Sequence, residues 1–444
     1  MHQMTELSTI LEDHSKLADK IRLRNSQTEL ASLLRFDANL NAPVHRWFKF
    51  KESFSLGLVP RLLHEYLPKG ATSIRFLDPF CGVATSLLSA EDALRKMGVK
   101  KLILRGVEVN PYIRFVAQTK MAWDQYRPSV FVLAGQASLN GFVLHKQPQQ
   151  PTLSTLLNPR FVAPKDLQAI LELREKVRQL ANHQREANPL LVGIAAGAEN
   201  VINLRKDGRA LRFHPRQDDR NVHETVAEKW GEIAEDLQSL GARSPLDARV
   251  ENGDGRRADR IFPGRQFDVI FFSPPYLNNI DYTEVYKIEL WLLKFLTSQA
   301  QMIAQRRNTF RSHPSCTFPV FRDADVEEVK KVLGPSFGRL LEYAGSREKW
   351  RARLFAEYFA DMLRTLRACC KLLAPKGRIF LVIGNSLHGN SDYPIPVATD
   401  LWTCVLAKEA GLIVQDVLVG RQFHRKHFTA DLLRESILVM GKKQ

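Results

Sequence analysis

The residues 273–276, Ser-Pro-Pro-Tyr, combine hydrogen-bond acceptors with an aromatic ring directly after an apolar stretch. An aromatic amine is a poor nucleophile because its lone pair is delocalised, so an enzyme that modifies one must hold the amine protons. The Ser273 hydroxyl and the Pro274 carbonyl can accept them, Pro275 stiffens the loop further, and Tyr276 offers a stacking face for a flipped base. The alternative is a proline turn beside a core tyrosine.

A second group of candidates consists of acidic residues that end apolar segments. Asp78 can accept from the amino group of a cofactor, and Glu108 can hold both hydroxyls of a ribose because a carboxylate has two acceptor oxygens. Asp254 can accept from an adenine amino group. Gly82 permits close backbone approach, and a helix that begins at Thr85 offers unpaired N–H groups. Together they predict a bound nucleoside, although each carboxylate alone could be an ordinary loop residue.

Several patterns are missing from the sequence. It contains neither GxGxxG nor a Walker A motif, so we expect no dinucleotide or nucleoside triphosphate. Methylation of carbon 5 of cytosine requires a thiolate that attacks the ring, usually from a Pro-Cys dipeptide. The sequence contains no Pro-Cys dipeptide, which argues against that reaction. The five cysteines form no CxxC pair, so we predict neither a disulfide framework nor a metal site.

The elements that must position these residues follow a βαβ rhythm, in which apolar strands alternate with longer helical patterns. We therefore predict an α/β fold with a seven-stranded, mostly parallel, Rossmann-like sheet that carries helical and basic insertions. Ligands of such sheets bind at the carboxyl ends of the strands, where the candidate residues lie. The predicted strands are 74–77, 102–109, 248–253, 267–272, 379–384, 412–419 and 436–440.

Two stretches interrupt that rhythm and divide the chain into segments. The predicted segments are an N-terminal helical segment (1–42), a helical insertion (124–245) and a basic insertion (298–350). The remaining ranges, 43–123, 246–297 and 351–444, are predicted to form three parts of one domain. The two insertions are candidates for target recognition.

The net charge of +16 and the pI near 9.7 favour a partner with a phosphate backbone, although charged runs are often only solvated faces. No run approaches ~18 consecutive apolar residues, so we predict no membrane span and a cytoplasmic protein. A further basic cluster comprises Arg421, His424, Arg425, Lys426 and His427. The candidate nucleic-acid contacts are Arg205, Lys206, Arg209, Arg212, Arg306, Arg307 and Arg311.

These motifs resemble those of the DNA amino-methyltransferases, whose cofactor motif reads DPFxGxG and whose catalytic motif reads [D/N/S]PP[Y/F/W]. Ala84 stands where that family usually has glycine, and Phe54 lies in a segment similar to its motif ten, which lines the methionine part of the cofactor. The serine form of the catalytic motif resembles the N4-cytosine branch. The cofactor motif is matched by Asp78, Pro79, Phe80 and Gly82.

The resemblance covers about half of the chain and implies S-adenosylmethionine as cofactor, double-stranded DNA as substrate and methylation of the exocyclic N4 amine of a flipped cytosine. It also implies a cognate restriction enzyme as a candidate partner and leaves the oligomeric state open. Three alternatives remain at this point: adenine-N6 methylation of DNA, methylation of an RNA base amine, and an inactive nucleic-acid-binding module on the same fold.

Overall fold

The computed structural model describes residues 2–140, 142–144, 146–180, 185–208, 210–217, 219–278, 280–316, 323–423 and 432–443. The strands in chain order are β1 (Leu23–Asn25), β2 (Ser73–Asp78), β3 (Lys101–Glu108), β4 (Leu204–Asp207), β5 (Ala210–Phe213), β6 (Asp247–Asn252), β7 (Phe267–Phe272), β8 (Leu373–Gly384), β9 (Ser386–Gly389), β10 (Pro394–Val397), β11 (Leu412–Gln422) and β12 (Arg434–Lys442).

The central sheet has eight strands in the order β1-β11-β12-β8-β7-β2-β3-β6. All neighbours are parallel except that β12 runs antiparallel to β11 and to β8. The predicted α/β class with a mostly parallel sheet is therefore confirmed. The strand count of seven was one too low, because the sequence of β1 is three residues long and has no apolar alternation by which it could be recognised.

Helices cover both faces of the sheet. The helices are α1 (His2–Ala18), α2 (Gln27–Leu30), α3 (Leu58–Tyr66), α4 (Thr85–Lys96), α5 (Pro111–Met121), α6 (Pro128–Leu139), α7 (Ser154–Leu157), α8 (Pro164–Leu180), α9 (Ala187–Ala198), α10 (Val222–Ser239), α11 (Ala258–Ile261), α12 (Tyr282–Val285), α13 (Lys287–Leu292), α14 (Gln299–Arg307), α15 (Asp323–Gly345), α16 (Lys349–Leu372) and α17 (Thr399–Glu409).

Strand β7 shows how the sheet divides the core. Val269 and Phe271 face the apolar cluster that contains α3 and α4, whereas Ile270 and Phe272 face the cluster that contains α16 and α17. Successive side chains of a strand point to opposite faces, so a strand covered on both faces reads as a continuous apolar run. This arrangement holds the chain that follows β7 at the edge of a rigid, buried layer.

The first insertion supplies most of one apolar cluster, which also includes residues of α5 and α13. The indole N–H of Trp230 on α10 donates to the carbonyl of Leu190 on α9 at 2.9 Å, and α6 and α8 pack around the same pair. Within this predicted helical insertion, the basic stretch that contains Arg205, Lys206 and Arg212 forms the antiparallel hairpin β4–β5. In the second insertion, α15 bends at Gly334, whose φ is +75°, ahead of Pro335.

None of the helices within the described ranges has the length and apolarity that crossing a membrane requires.

Candidate active site

One cavity of about 850 Å³ lies at the carboxyl ends of the central strands. Its walls include the residues that follow β2, β3, β6 and β7, which are far apart in the chain. All the residues that the sequence predicted for cofactor and catalysis line this cavity, namely Phe54, Asp78, Pro79, Phe80, Gly82, Thr85, Glu108, Asp254, Ser273, Pro274, Pro275 and Tyr276. Their assigned roles stay predictions, but the fold brings them together.

Asp78 ends β2 and is almost completely buried. Its Oδ1 accepts a hydrogen bond from the backbone N–H of Phe80 at 2.8 Å, and its Oδ2 accepts from the Ser86 hydroxyl. Burial raises the pKa of Asp78 to about 7, against the lowering effect of these two hydrogen bonds. The carboxyl group is therefore fixed in orientation by its own turn, and none of the described basic side chains forms an ion pair with it that would hold it ionised.

The turn between β2 and α4 contains two residues in the left-handed region. Gly82 has a φ of +51°, and a side chain there would meet the ring of Phe50 at 3.0 Å. Ala84 has a φ of +67° and directly precedes α4. This conformation costs an L-residue about 1–2 kcal/mol, which explains why the similar cofactor motif of the DNA amino-methyltransferases usually has glycine at the position of Ala84.

Glu108 ends β3 and faces the same cavity. Its Oε1 accepts from the backbone N–H of Asn110 at 2.7 Å, and the side chain of Asn110 caps α5. Burial raises the pKa of Glu108 to about 7, although the backbone N–H groups of Asn110 and Gly82 act in the opposite direction. Asp78, which is buried, and Glu108, which is partly buried, thus place two carboxyl groups at adjacent strand ends, which suits a ligand that carries positive charge and hydroxyl donors.

Asp254 differs from these two because its carboxylate accepts hydrogen bonds directly from a guanidinium group. The guanidinium of Arg256 contacts it at 2.8 Å and continues to Asp361 on α16 at 2.6 Å. Arg256 also donates to the backbone carbonyl of Asn308 in the second insertion at 3.1 Å. Sequence reasoning missed Arg256, and it links the loop after β6 to the second insertion.

The loop after β6 also touches the loop after β2. A Cβ atom added at Gly255 would lie 2.1 Å from the carbonyl oxygen of Pro79 and 2.9 Å from the ring of Phe80. Only glycine permits two backbone segments to approach so closely. The two halves of the predicted nucleoside site are therefore in direct backbone contact.

The segment 273–276, named here the SPPY loop, leaves β7 with its serine and tyrosine hydroxyls 3.2 Å apart. The Tyr276 hydroxyl donates to Glu435 Oε1 on β12 at 2.7 Å. Glu435 is in turn paired with Arg421 on β11 at 2.9 Å. Burial raises the pKa of Glu435, while Arg421 lowers it. Sequence reasoning missed Glu435, although an acidic residue at the start of a buried apolar strand is a signal that could have identified it.

Further aromatic residues line the cavity beside the SPPY loop. Phe50 stacks on Tyr286 with ring centroids 5.6 Å apart, and the Tyr286 hydroxyl bonds to Glu52. Burial raises the pKa of Glu52. The ring of Tyr282 lines the cavity as well. The space in front of the SPPY loop is thus bounded by aromatic rings and by the carboxyl groups of Glu52 and Glu435.

The predicted nucleic-acid contacts fall into two groups. Arg205, Arg212 and Arg307 are exposed, and Arg212 pairs with Asp207 at 3.0 Å. Arg209 lies outside the described residues, as do His424, Arg425, Lys426 and His427 of the further cluster.

The remaining basic candidates, Lys206, Arg306 and Arg311, form ion pairs with carboxylates of the same chain. Lys206 lies, largely covered, between Glu199 and Glu289, and its ammonium group is 4.5 Å from the centre of the Tyr286 ring. Arg311 is buried against Asp361 at 3.1 Å. Arg306 is partly exposed and pairs with Asp281 and Glu284, each at 2.8 Å. These ion pairs connect the hairpin and the second insertion to neighbouring segments, and contact of these three residues with nucleic acid stays a prediction.

Within the described ranges, no group of three or more His, Cys, Asp or Glu side chains is placed to hold a metal ion. Cys81, Cys369, Cys370 and Cys404 are free thiols.

The chain shows distant sequence similarity to type II methyltransferases. It is 25% identical over 453 residues to the type II methyltransferase M.AvaI of Nostoc sp. and to that of Anabaena variabilis, covering 91% of this chain and 86% of each relative. It is 23% identical over 438 residues to the type II methyltransferase M.BsoBI of Geobacillus stearothermophilus, covering 88% of this chain and 82% of that relative. No family model matches. The protein is therefore a distant homologue of type II methyltransferases.

Two solved structures give weaker matches. TrmN from Thermus thermophilus has a TM-score of 0.30 and 11% identity, over 88% of this chain and 49% of that one. The rRNA methyltransferase aviRa from Streptomyces viridochromogenes has a TM-score of 0.32 and 11% identity, over 91% of this chain and 92% of that one. At these scores the likeness adds nothing to the topology described above.

Proposed function

We propose that this protein is an S-adenosylmethionine-dependent DNA methyltransferase that methylates the exocyclic N4 amine of a flipped cytosine. The observation that carries the proposal is that the SPPY loop opens into the same cavity as Asp78, Glu108 and Asp254. A cofactor site and an amine-binding loop in one cavity can bring a methyl donor and a base together. The homology to type II methyltransferases and the net charge of +16 support DNA as the substrate.

The cofactor end of the cavity suits a nucleoside that carries a sulfonium. Glu108 offers acceptor oxygens to a vicinal diol, and Asp78 and Asp254 offer acceptors to amino groups. Burial raises the pKa values of Asp78 and Glu108, although the charge of Arg114 lowers that of Glu108, so a cationic ligand would stabilise their ionised forms. When bound, S-adenosylmethionine supplies an electrophilic methyl group.

The SPPY loop prepares the amine for attack on that methyl group. The Ser273 Oγ atom and the Pro274 carbonyl accept the two amine hydrogens and so favour the pyramidal form with a localised lone pair. Tyr276 stacks on the base, and the two prolines limit the motion of the acceptors so that little reorganisation is needed. Among the DNA amino-methyltransferases that the motifs resemble, adenine-N6 enzymes usually have Asp or Asn at the position of Ser273. The serine therefore supports cytosine as the target.

Double-stranded DNA is the proposed partner, and its phosphates are proposed to contact the exposed arginines of the hairpin β4–β5 and of α14. Arg205 and Arg212 lie on the hairpin, whose residues Lys206, Asp207 and Gly208 line the cavity. A duplex that places a flipped base in the cavity would therefore pass close to the hairpin. We also propose a cognate restriction endonuclease as a functional partner, since the relatives are named type II methyltransferases.

The proposal is tested by incubating genomic DNA and total RNA with the purified protein and labelled cofactor, followed by mass spectrometry of the nucleosides. N4-methylcytosine in DNA is the expected product. N6-methyladenine would overturn the cytosine assignment, a modified RNA base would overturn the DNA assignment, and no transfer to any nucleic acid would favour the inactive binding module.

Two variants test the SPPY loop itself. Ser273→Ala and Tyr276→Ala should each slow methylation by about 10- to 100-fold, because each removes a group that stabilises the transition state. The matched control is Ser244→Ala, an exposed serine that also precedes a proline but lies outside the cavity. Wild-type rates in folded, cofactor-binding Ser273→Ala and Tyr276→Ala proteins would refute the assigned roles.

A further inference from the structure

Three neighbouring strands carry Gly384, Glu435 and Arg421 at the same level of the sheet. Glu435 on β12 is the register partner of Gly384 on β8 and of Arg421 on β11. A Cβ atom at Gly384 would lie 2.9 Å from the Tyr276 ring, so the missing side chain provides the space that the ring occupies. In this row, Gly384 leaves space for the phenol ring, Glu435 accepts a hydrogen bond from the phenol hydroxyl, and Arg421 carries the charge opposite to that of Glu435.

The hydrogen bonds along this row have only one consistent direction. Glu435 is paired with a guanidinium and acts as an acceptor, so the Tyr276 hydroxyl donates its single proton to it at 2.7 Å. The phenol oxygen can then only accept, and the Ser273 hydroxyl donates to it at 3.2 Å. Ser273 has thereby used its one proton, and both of its lone pairs remain for another donor.

We propose that Glu435 is a positioning residue that fixes the direction of this chain and thereby makes Ser273 a hydrogen-bond acceptor for the target amine. The inference rests on the proposed function and deepens it. A serine hydroxyl can donate or accept, and only an accepting serine helps an amine that carries two hydrogens. A base that presents a carbonyl oxygen at the same position, as thymine does, would place an acceptor against an acceptor and be disfavoured.

Two isosteric variants interrupt the chain without removing the ring or the serine. Tyr276→Phe deletes the phenol hydroxyl, and Glu435→Gln replaces the obligatory acceptor by an amide that can also donate. Each should lower kcat about tenfold, the loss of one hydrogen bond in the transition state, while the Kd for S-adenosylmethionine measured by calorimetry stays within twofold of wild type.

The decisive experiment places the same two variants in a Ser273→Ala background. If Glu435 acts through the serine hydroxyl, Tyr276→Phe and Glu435→Gln should change kcat by less than twofold there, because the hydroxyl that they orient is gone. The controls are Tyr66→Phe, which removes a phenol bonded to Asp416, and Glu12→Gln, which removes an exposed acid of α1. Both should leave kcat unchanged.

Wild-type kcat in folded Tyr276→Phe and Glu435→Gln proteins would overturn the inference, and so would losses that multiply with that of Ser273→Ala. Thermal unfolding of each variant verifies that it is folded, and Tyr276→Phe keeps the test available if Glu435→Gln does not fold. Failure of the proposed function itself is recognised separately, since the wild-type protein would then modify no DNA.

Discussion

Replacing Gly255 by alanine should weaken binding of S-adenosylmethionine, because the new methyl group would push apart the loops that follow β2 and β6. The added Cβ would lie 2.1 Å from the Pro79 carbonyl oxygen. Carbon–oxygen contacts in proteins are rarely shorter than about 3.3 Å, so the loops must separate by roughly 1 Å. Gly255 is not among the glycines with positive φ, so the effect is one of space and not of backbone conformation.

The size of the effect follows from that displacement. Overpacking of a buried position costs about 1–3 kcal/mol of stability. A shift of roughly 1 Å also moves Asp78 and Asp254 relative to each other, and loss of one well-placed contact, about 1.4 kcal/mol, weakens binding about tenfold. We therefore expect a Kd for the cofactor at least about tenfold higher than that of the wild type.

Isothermal titration calorimetry with S-adenosylmethionine measures this change, and denaturant unfolding measures stability. The matched control is Gly231→Ala on α10, where an added Cβ meets no atom within 4 Å. That variant should be more stable by about 0.5–1 kcal/mol and should bind the cofactor as the wild type does. Undiminished affinity in a folded Gly255→Ala protein would refute the idea that the two loops jointly form the cofactor site.

Three further predictions concern the carboxyls, the cofactor turn and the hairpin. Burial raises the pKa values of Asp78 and Glu108 to about 7, so the affinity for the cofactor should fall as the pH drops below 7. Binding near pH 7 should release protons, and calorimetry should therefore give a binding enthalpy that depends on the buffer. Because these folded-state pKa values exceed the unfolded ones, the unliganded protein should lose stability as the pH rises from about 4 to 7 in urea titrations. The Ala84→Gly variant removes the strain of an alanine in the left-handed conformation but also deletes a buried methyl group. The two effects oppose each other, so the free energy of unfolding should change by less than about 1 kcal/mol. Arg205→Ala and Arg212→Ala should weaken DNA binding at all sequences and reduce the slope of affinity against salt by about 1 each.

The local pattern of the sequence was sufficient to predict most of the sheet. Strands such as β7 are apolar throughout because both faces are covered, and the turn signals that follow them locate the strand ends. Since ligands bind at those ends, the residues of the SPPY loop and the acidic residues that end β2 and β3 could be predicted from the sequence alone as part of the cavity. Strand β1 could not be predicted from the sequence, because its pairing with β11 is decided by tertiary contact and not by its own three residues.

Partners that are distant in the sequence set the limit of such reasoning. Lys206 looked like a surface charge within a basic run, yet Glu289, 83 residues away, neutralises it in the interior. Glu435 reaches Tyr276 across 159 residues. A charge pattern in one segment carries no information about which segment will pack against it, so these pairings depend on strand order and register.

The strand order also affects how the chain reaches its native state. Arg75 on β2 bonds to Asp268 on β7 across 193 residues, and the first insertion lies within that span. Closing so long a loop is entropically costly, but α6 and α10, at the two ends of the insertion, pack together and shorten the effective loop. The insertion should therefore become compact before β7 joins the sheet, and refolding should show a fast helical phase followed by a slower one in which the cavity forms.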